Sequence, residues 1–282
     1  MSVRITVAGS VNLDLVATAE RLPSPGETVT GATLARHPGG KGGNQALAAR
    51  RLGAEVALIA RVGADAMAGE ALALLRAEGV DLSACVADPD QPTGVALIAV
   101  DARGENQILV APGANAAFAP DHLPTAIDGA LICQLELPPE TVARAMTAAS
   151  GFVCVNLAPA REVPPEVLQR ADLIVVNEGE AAFYGAKLHA APGLVAVTWG
   201  AKGAGLYRGG VLLADAKPPK VDAVDTTGAG DTFVAALVIA LLEGQSHADA
   251  LAFACAAGAL TATRAGAQPS LPNRAEVDRI GR

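Results

Sequence analysis

The residues that could do chemistry sit in two glycine-rich segments, PGGKGGNQALAARRLG (38–53) and DTTGAGDTF (225–233). In the second, Gly228, Ala229 and Gly230 have little or no side chain, so their backbone N–H groups stay open to an approaching anion. The apolar run VAALVIALLEG follows, which predicts a helix starting near Ala229 or Gly230. Its unsatisfied N–H groups and positive dipole end would add to the same anion site. A phosphoryl group in transfer fits there. Asp231 is then a carboxylate beside an anion, which is electrostatically costly unless it takes a proton from an attacking hydroxyl. The plainer alternative is a helix N-cap, where Asp is favoured anyway. The first segment places Lys41 in a glycine-rich turn and Asn44 in the first turn of a helix. Such a loop can press backbone and short polar groups against a hydroxylated ligand, or it can be an ordinary loop-to-helix junction.

Further polar residues stand where apolar runs end. Asn12 and Asp14 follow the first strand, Glu136 ends another, and Asn177 and Glu180 follow a third. Each alone reads as a cap or an Asx turn. A parallel sheet would gather them, because it brings the carboxyl ends of its strands to one crevice.

The elements that must position these residues are legible as alternating patterns. Apolar, β-branched runs at 4–11, 56–63, 130–137, 152–159, 172–179 and 194–200 read as strands. Their continuity fits burial on both faces. Helical patterns fill 44–52, 66–78, 139–150 and 178–189, and two more helices follow residue 229. This succession predicts an α/β fold with a doubly wound, mostly parallel sheet. Residues 28–37 and 93–110 break the rhythm as antiparallel strands, the second with a turn near DARGEN. They predict a small projecting β-sheet, a lid, with strands roughly within 15–37 and 93–112 of a single domain covering 1–282.

Two common phosphate signatures fail. GGKGGN lacks the upstream glycine spacing and the following Ser/Thr of a P-loop. AGSVNLD has one glycine, and GAGDTF has Phe233 where the dinucleotide fingerprint needs its third, which disfavours a nicotinamide dehydrogenase. The chain has 282 residues, 51% of them hydrophobic, and a mean hydropathy of +0.35, enough for a large core. A net charge of −8 with no basic run argues against a nucleic-acid partner. No apolar run approaches the ~20 residues that span a membrane. The opening stretch is broken by Ser10, Asn12 and Asp14 and is not expected to be a signal peptide. Four separated cysteines without a CxxC predict reduced thiols in a cytoplasmic protein and no zinc site.

With these residues in view, the chain resembles the ribokinase-like (PfkB-type) sugar kinases. GGKGGNQA and DTTGAGDTF look like that family's paired signatures, and GSVNLD, PGETVTG, TGVALI, APGAN, NLAPAREVP, NEGEA and GAQPS resemble its segments in order. The resemblance implies in-line transfer of the ATP γ-phosphoryl group to the 5-hydroxyl of D-ribose. A nucleoside, fructose or a 2-keto-3-deoxy sugar acid is the alternative acceptor within the family; a catalytically silent sugar-binding protein is the alternative outside it. By the same resemblance Asn12, Asp14, Gly40, Lys41, Asn44 and Glu136 would hold the sugar, and Asp231 would be the base. The amides of Gly228, Ala229 and Gly230 would form the anion hole. Asn177 and Glu180 would lie near the triphosphate and its Mg²⁺, and Thr198, Gly200, Lys202 and Gly203 would touch nucleotide phosphate and ribose. K⁺ would be held by oxygens of Asp225, Thr227, Thr261, Arg264, Gly266 and Ser270. The small sheet would close over the sugar and pair with a second subunit to give a homodimer. Two departures stand out: the stretch from Asn177 to Trp199 is short, predicting a compact crossover, and Cys255 lies near the adenine where relatives often carry a polar residue.

Overall fold

The structure, a computed structural model, describes residues 3–280. The chain begins β1 (Arg4–Ala8), β2 (Asn12–Thr18), β3 (Thr33–Gly39), α1 (Lys41–Arg51), β4 (Glu55–Gly63), α2 (Ala66–Ala71), α3 (Ala73–Ala77) and β5 (Cys85–Asp88). It continues through β6 (Gly94–Val100), β7 (Asn106–Ala111), β8 (Ala130–Gln134), α4 (Pro139–Ala148), β9 (Val153–Asn156), α5 (Pro165–Arg170) and β10 (Leu173–Asn177). Next come α6 (Glu178–Tyr184), α7 (Ala186–His189), β11 (Leu194–Thr198), β12 (Ala204–Arg208) and β13 (Val211–Ala216). The last elements are α8 (Ala229–Leu242), α9 (His247–Thr261), α10 (Ala267–Ser270) and α11 (Arg274–Ile280).

Among the described residues these strands form two sheets. The larger has nine strands in the order β13-β12-β11-β10-β9-β8-β1-β4-β5. From β11 to β5 the pairs are parallel, and β12 and β13 add an antiparallel edge. The smaller has four strands in the order β3-β2-β6-β7. The apolar runs are continuous because successive side chains feed two separate cores. Ile5, Ile132, Leu173 and Val175 pack on the side of α1, α8 and α9. Leu131, Cys133, Ile174 and Val176 pack on the opposite side with α4 and α5. This is the expected doubly wound α/β arrangement with a separate small sheet.

Helix α8 is apolar all round, as a helix enclosed in a core must be. It packs between α1 and α9, and Asp231 through Ala240 are buried along it. That packing brings the starts of α1 and α8, and so the two glycine-rich segments, side by side.

Several boundaries differ from the sequence reading. The pattern over 66–78 is two helices that meet at Leu72, and 178–189 breaks at Gly185, whose φ of 52° is left-handed and open to glycine. The short crossover is therefore built from two brief helices. The first strand stops at Ala8, and Asn12 and Asp14 lie not in a turn but in β2, which carries the chain into the small sheet.

Close backbone approach explains the glycines of α1. A Cβ on Gly42 would stand 2.5 Å from the carbonyl carbon of Gly9 and the nitrogen of Ser10. Gly42→Ala is expected to cost about 1–3 kcal/mol, as overpacking does, and to lower the midpoint of thermal or urea unfolding. An unchanged midpoint would mean that α1 does not seat against the β1–β2 connection as described.

Candidate active site

The start of α1 is pinned by the residues it approaches. Lys41 N donates to Glu136 Oε2 at 3.1 Å, and Gly43 N donates to Ser10 O at 2.9 Å. Ser10 Oγ donates to the same Glu136 oxygen and accepts from Gly42 N at 3.3 Å. Glu136 is thus fixed on the glycine-rich turn by a hydroxyl and an amide. Beside it, Asn12 Oδ1 accepts from Asn115 Nδ2 at 2.8 Å, while Asn115 also exchanges bonds with the Val11 backbone. Asp14 faces the same space. Its carboxylate lies so close to Gly39 that a Cβ there would stand 2.3 Å from Oδ2.

Asp231 is the third residue of α8 and 7% exposed. The helix is capped by Gly228, in the left-handed conformation at φ 81°, and the Asp231 side chain is turned away from the helix amides. Its Oδ2 accepts from Asn44 Nδ2 and its Oδ1 from Gln45 Nε2, both at 2.9 Å. The N-cap alternative therefore fails, because this carboxylate spends its lone pairs across the helix interface. Burial pushes its pKa above the ordinary value; Lys41 and the two amide bonds oppose that, and Glu136 adds to it.

One cation serves this cluster. Burial opposes the charge on Lys41, but Asp231, Glu136 and Glu180 outweigh it and hold the ammonium's pKa above normal. Asp14 is pushed up to about 7, first by burial and then by the charges of Glu136 and Asp231. The site is therefore rich in acceptors and short of cations, which suits a ligand bearing hydroxyl donors.

Across the start of α8 a cavity of about 750 Å³ is lined by Thr198, Gly200, Gly203, Ala229, Gly230 and Cys255. Residues 218–223 form its other wall. Cys255 lies at its edge with Sγ 3.8 Å from Ala216 O, and burial pushes the thiol up to about 11, so it behaves as a small apolar residue. Lys202 is not among the lining residues; its ammonium lies 3.9 Å from Glu178 at an exposed ion pair. Asn177 and Glu180 form a reciprocal cap at the start of α6: Glu180 N donates to Asn177 Oδ1 at 2.9 Å and Asn177 N to Glu180 Oε2 at 2.8 Å. Burial raises the pKa of Glu180 against that bond and Lys41.

On the far side of the loop, Asp225 Oδ1 accepts from Thr227 N at 2.9 Å and from its hydroxyl at 2.6 Å. Asp225 Oδ2 accepts from Gly266 N at 2.8 Å. Burial opposes the charge, but these bonds hold the carboxyl below its usual range. One carboxylate thus ties the 225–228 loop to the loop before α10. Three other expected side chains point to other work. Thr261 bonds Thr232 Oγ1 and Ala257 O, Ser270 bonds Ala267 O, and Arg264 pairs with Glu276. The Arg264 side chain carries no oxygen, so its backbone carbonyl is the group it could offer a cation.

Sequence reasoning missed Ser10, Gln45, Asn115, Gln134 and Asn156. Gln134 and Asn156 are the last residues of β8 and β9, polar ends of apolar runs and so of the same kind as Asn177. That signal was available at both.

The profile of the pfkB family of carbohydrate kinases matches residues 3–274. The ribokinase of Bacillus subtilis (strain 168) is 36% identical over 290 residues, which cover 98% of this chain and 98% of that protein. Among solved structures, the ribokinase of Thermotoga maritima is similar at a TM-score of 0.88 and 32% identity, covering 99% of each chain. The ribokinase of Arabidopsis thaliana complexed with ribose and ATP is similar at a TM-score of 0.86 and 31% identity, covering 100% of this chain and 99% of that one.

Asp14 generates a stability prediction. A carboxyl whose folded-state pKa is about 7 rather than 3.8 binds more protons folded than unfolded between those values, so it lowers stability as pH rises through that window. Asp14→Asn is expected to be more stable than wild type at pH 8 by about 1–4 kcal/mol, an advantage that shrinks towards pH 4. Thermal melts across this range check it; equal melting points at pH 8 would mean that Asp14 is not held in an unfavourable environment.

Proposed function

The chain belongs to the pfkB family of carbohydrate kinases, and from that premise we propose that it transfers the γ-phosphoryl group of ATP to the 5-hydroxyl of D-ribose. The observation that carries the reading is the place of Asp231: a buried carboxylate, turned from its own helix, between an acceptor-rich cluster and a cavity edged by Ala229 and Gly230. The similar Arabidopsis enzyme, solved with ribose and ATP, supports the choice of substrates.

Asn12, Asp14, Gly40, Lys41, Asn44 and Glu136 hold the sugar's hydroxyls. Asp231 takes the proton of the 5-hydroxyl as that oxygen attacks the γ-phosphorus, and the bond to the bridging oxygen of ADP breaks. The amides of Gly228, Ala229 and Gly230, at the positive end of α8, hold the charge on the transferred group. Asn177 and Glu180 would stand near the triphosphate, where Mg²⁺, when bound, would neutralise phosphate charge. Thr198, Gly200 and Gly203 receive nucleotide phosphate and ribose, with Lys202 outside the cavity's wall. Oxygens of Asp225, Thr227, Thr261, Arg264, Gly266 and Ser270 would hold K⁺, whose charge would help to organise the anion-hole loop from its far side.

The excess of carboxylates over Lys41 favours a neutral acceptor and repels a sugar acid. The small sheet acts as a lid that keeps water from the phosphoryl group. One of its faces is apolar and open, with Leu34 66% and Leu109 68% exposed and Leu97 paired with Leu109, which supports pairing with a second lid in a homodimer. Four free thiols suit a cytoplasmic enzyme.

ADP release measured with ribose, fructose, a nucleoside and a 2-keto-3-deoxy sugar acid tests the reading. Ribose is expected to turn over fastest; no preference for it would sink the assignment. Asp231→Asn is expected to lower turnover by about 10²–10⁴-fold while the fold survives, the range for a lost general base. K⁺ is expected to stimulate more than Na⁺ or Li⁺, and indifference to the cation would remove that site.

A further inference from the structure

Asp231 does not set its own orientation. Its Oδ1 accepts from Gln45 Nε2, and the same nitrogen lies 3.2 Å from Asn156 Oδ1. Gln45 Oε1 accepts from Gln134 Nε2 at 2.6 Å, and Asn156 Nδ2 donates to the Val175 carbonyl at 3.1 Å. All three amides are buried, so their bonds cannot be exchanged for bonds to water without loss.

The chain has one polarity. A backbone carbonyl only accepts, so the Asn156 NH₂ must face Val175 and its oxygen must face Gln45. Gln45 therefore turns its NH₂ to that side, which is also the side of Asp231, and its oxygen meets the NH₂ of Gln134. Reversing any one amide would set oxygen against oxygen or NH₂ against NH₂. We propose that Gln45 is a positioning residue for the phosphoryl transfer, held by Gln134 and Asn156 so that a donor, and never an acceptor, faces the Asp231 carboxylate. The inference rests on the kinase reading in that Asp231 is taken as its base.

Two jobs follow from this placement. The bond to Oδ1, with that from Asn44 to Oδ2, fixes the plane of the carboxylate. It also stabilises the charged form, the form that can accept a proton, inside a site where burial favours the neutral one. A residue that only filled space would do neither.

Gln45→Leu keeps the bulk and removes the donor. The ¹³C carboxyl signal of Asp231, assigned by its loss in Asp231→Asn, is followed against pH in wild type, Gln45→Leu and Gln134→Leu. Gln45→Leu is expected to titrate about one unit or more above wild type, with the acid limb of its kcat–pH profile moved in the same direction. The KM for ribose should stay within about twofold. Gln134→Leu should shift the signal the same way by less. An unshifted signal in folded Gln45→Leu, or a change in KM alone, overturns the proposal. If Gln45→Leu does not fold, the Gln134→Leu titration decides: no shift there overturns it. Should wild type fail to phosphorylate ribose, the function falls while the carboxyl titration still decides the role of Gln45.

Discussion

The structure turns on burying one carboxylate while aiming at it the donors that favour its charged form. Asp231 sits at the start of a helix enclosed by protein, near Glu136 and Asp14, and each of these raises the free energy of its charge. Against them stand Lys41 and two amide donors on consecutive residues of α1. A helix presents consecutive residues about 100° apart, so Asn44 and Gln45 can reach both oxygens of one carboxylate only if α1 crosses close to it. Both helices must then start at nearly the same place. Two glycines seat these starts on their surroundings, Gly42 against the Gly9–Ser10 backbone and Gly228 beside Ala267.

The parallel sheet supplies the rest of the support from its strand ends. Gln134 and Asn156 end adjacent strands in register, and Asn177 and Thr198 end the next pair. The first two look inward to Gln45. The second two face the nucleotide-side cavity and the start of α6. One edge of one sheet therefore serves both halves of the site, and β2 brings Asn12 and Asp14 over it from the small sheet.

Much of this was legible in the sequence, and what was not has physical causes. Runs such as ALICQ and LIVVN announced strands buried on both faces because no polar residue interrupts them. The small-residue turn before an apolar run placed the start of α8 near Ala229 or Gly230, and it falls at Ala229. Asn12 and Asp14 were misplaced because two polar residues after a strand look like a turn, whereas here a second strand buries them against Gly39 and Asn115. The hairpin of β12 and β13 was missed because its outer face stays exposed, so AGLYR and VLLADA show neither continuous apolar character nor clean alternation. The amide chain around Gln45 was invisible for a different reason. The bonds Gln45 makes to Gln134, Asn156 and Asp231 span 89 to 186 residues, and a buried amide carries no local mark of its partner.

The charge balance of the site gives the proposed function its direction. Three carboxylates approach Lys41 and a fourth, Asp14, stands beside two of them, so the sugar side is anionic on balance. The start of α8 offers the opposite: backbone N–H groups and a positive helix end, with Asp231 in its first turn and Asp222 on the cavity's other wall. A neutral polyol can donate hydroxyls to the first surface and then be ionised at the one hydroxyl nearest the second. In the proposed reaction a phosphoryl group would be repelled by the first and held by the second, and the two reactants would meet at Asp231. The proton that this carboxylate takes would remove a charge that otherwise opposes the phosphoryl group at the helix end, so proton removal and anion binding would reinforce each other.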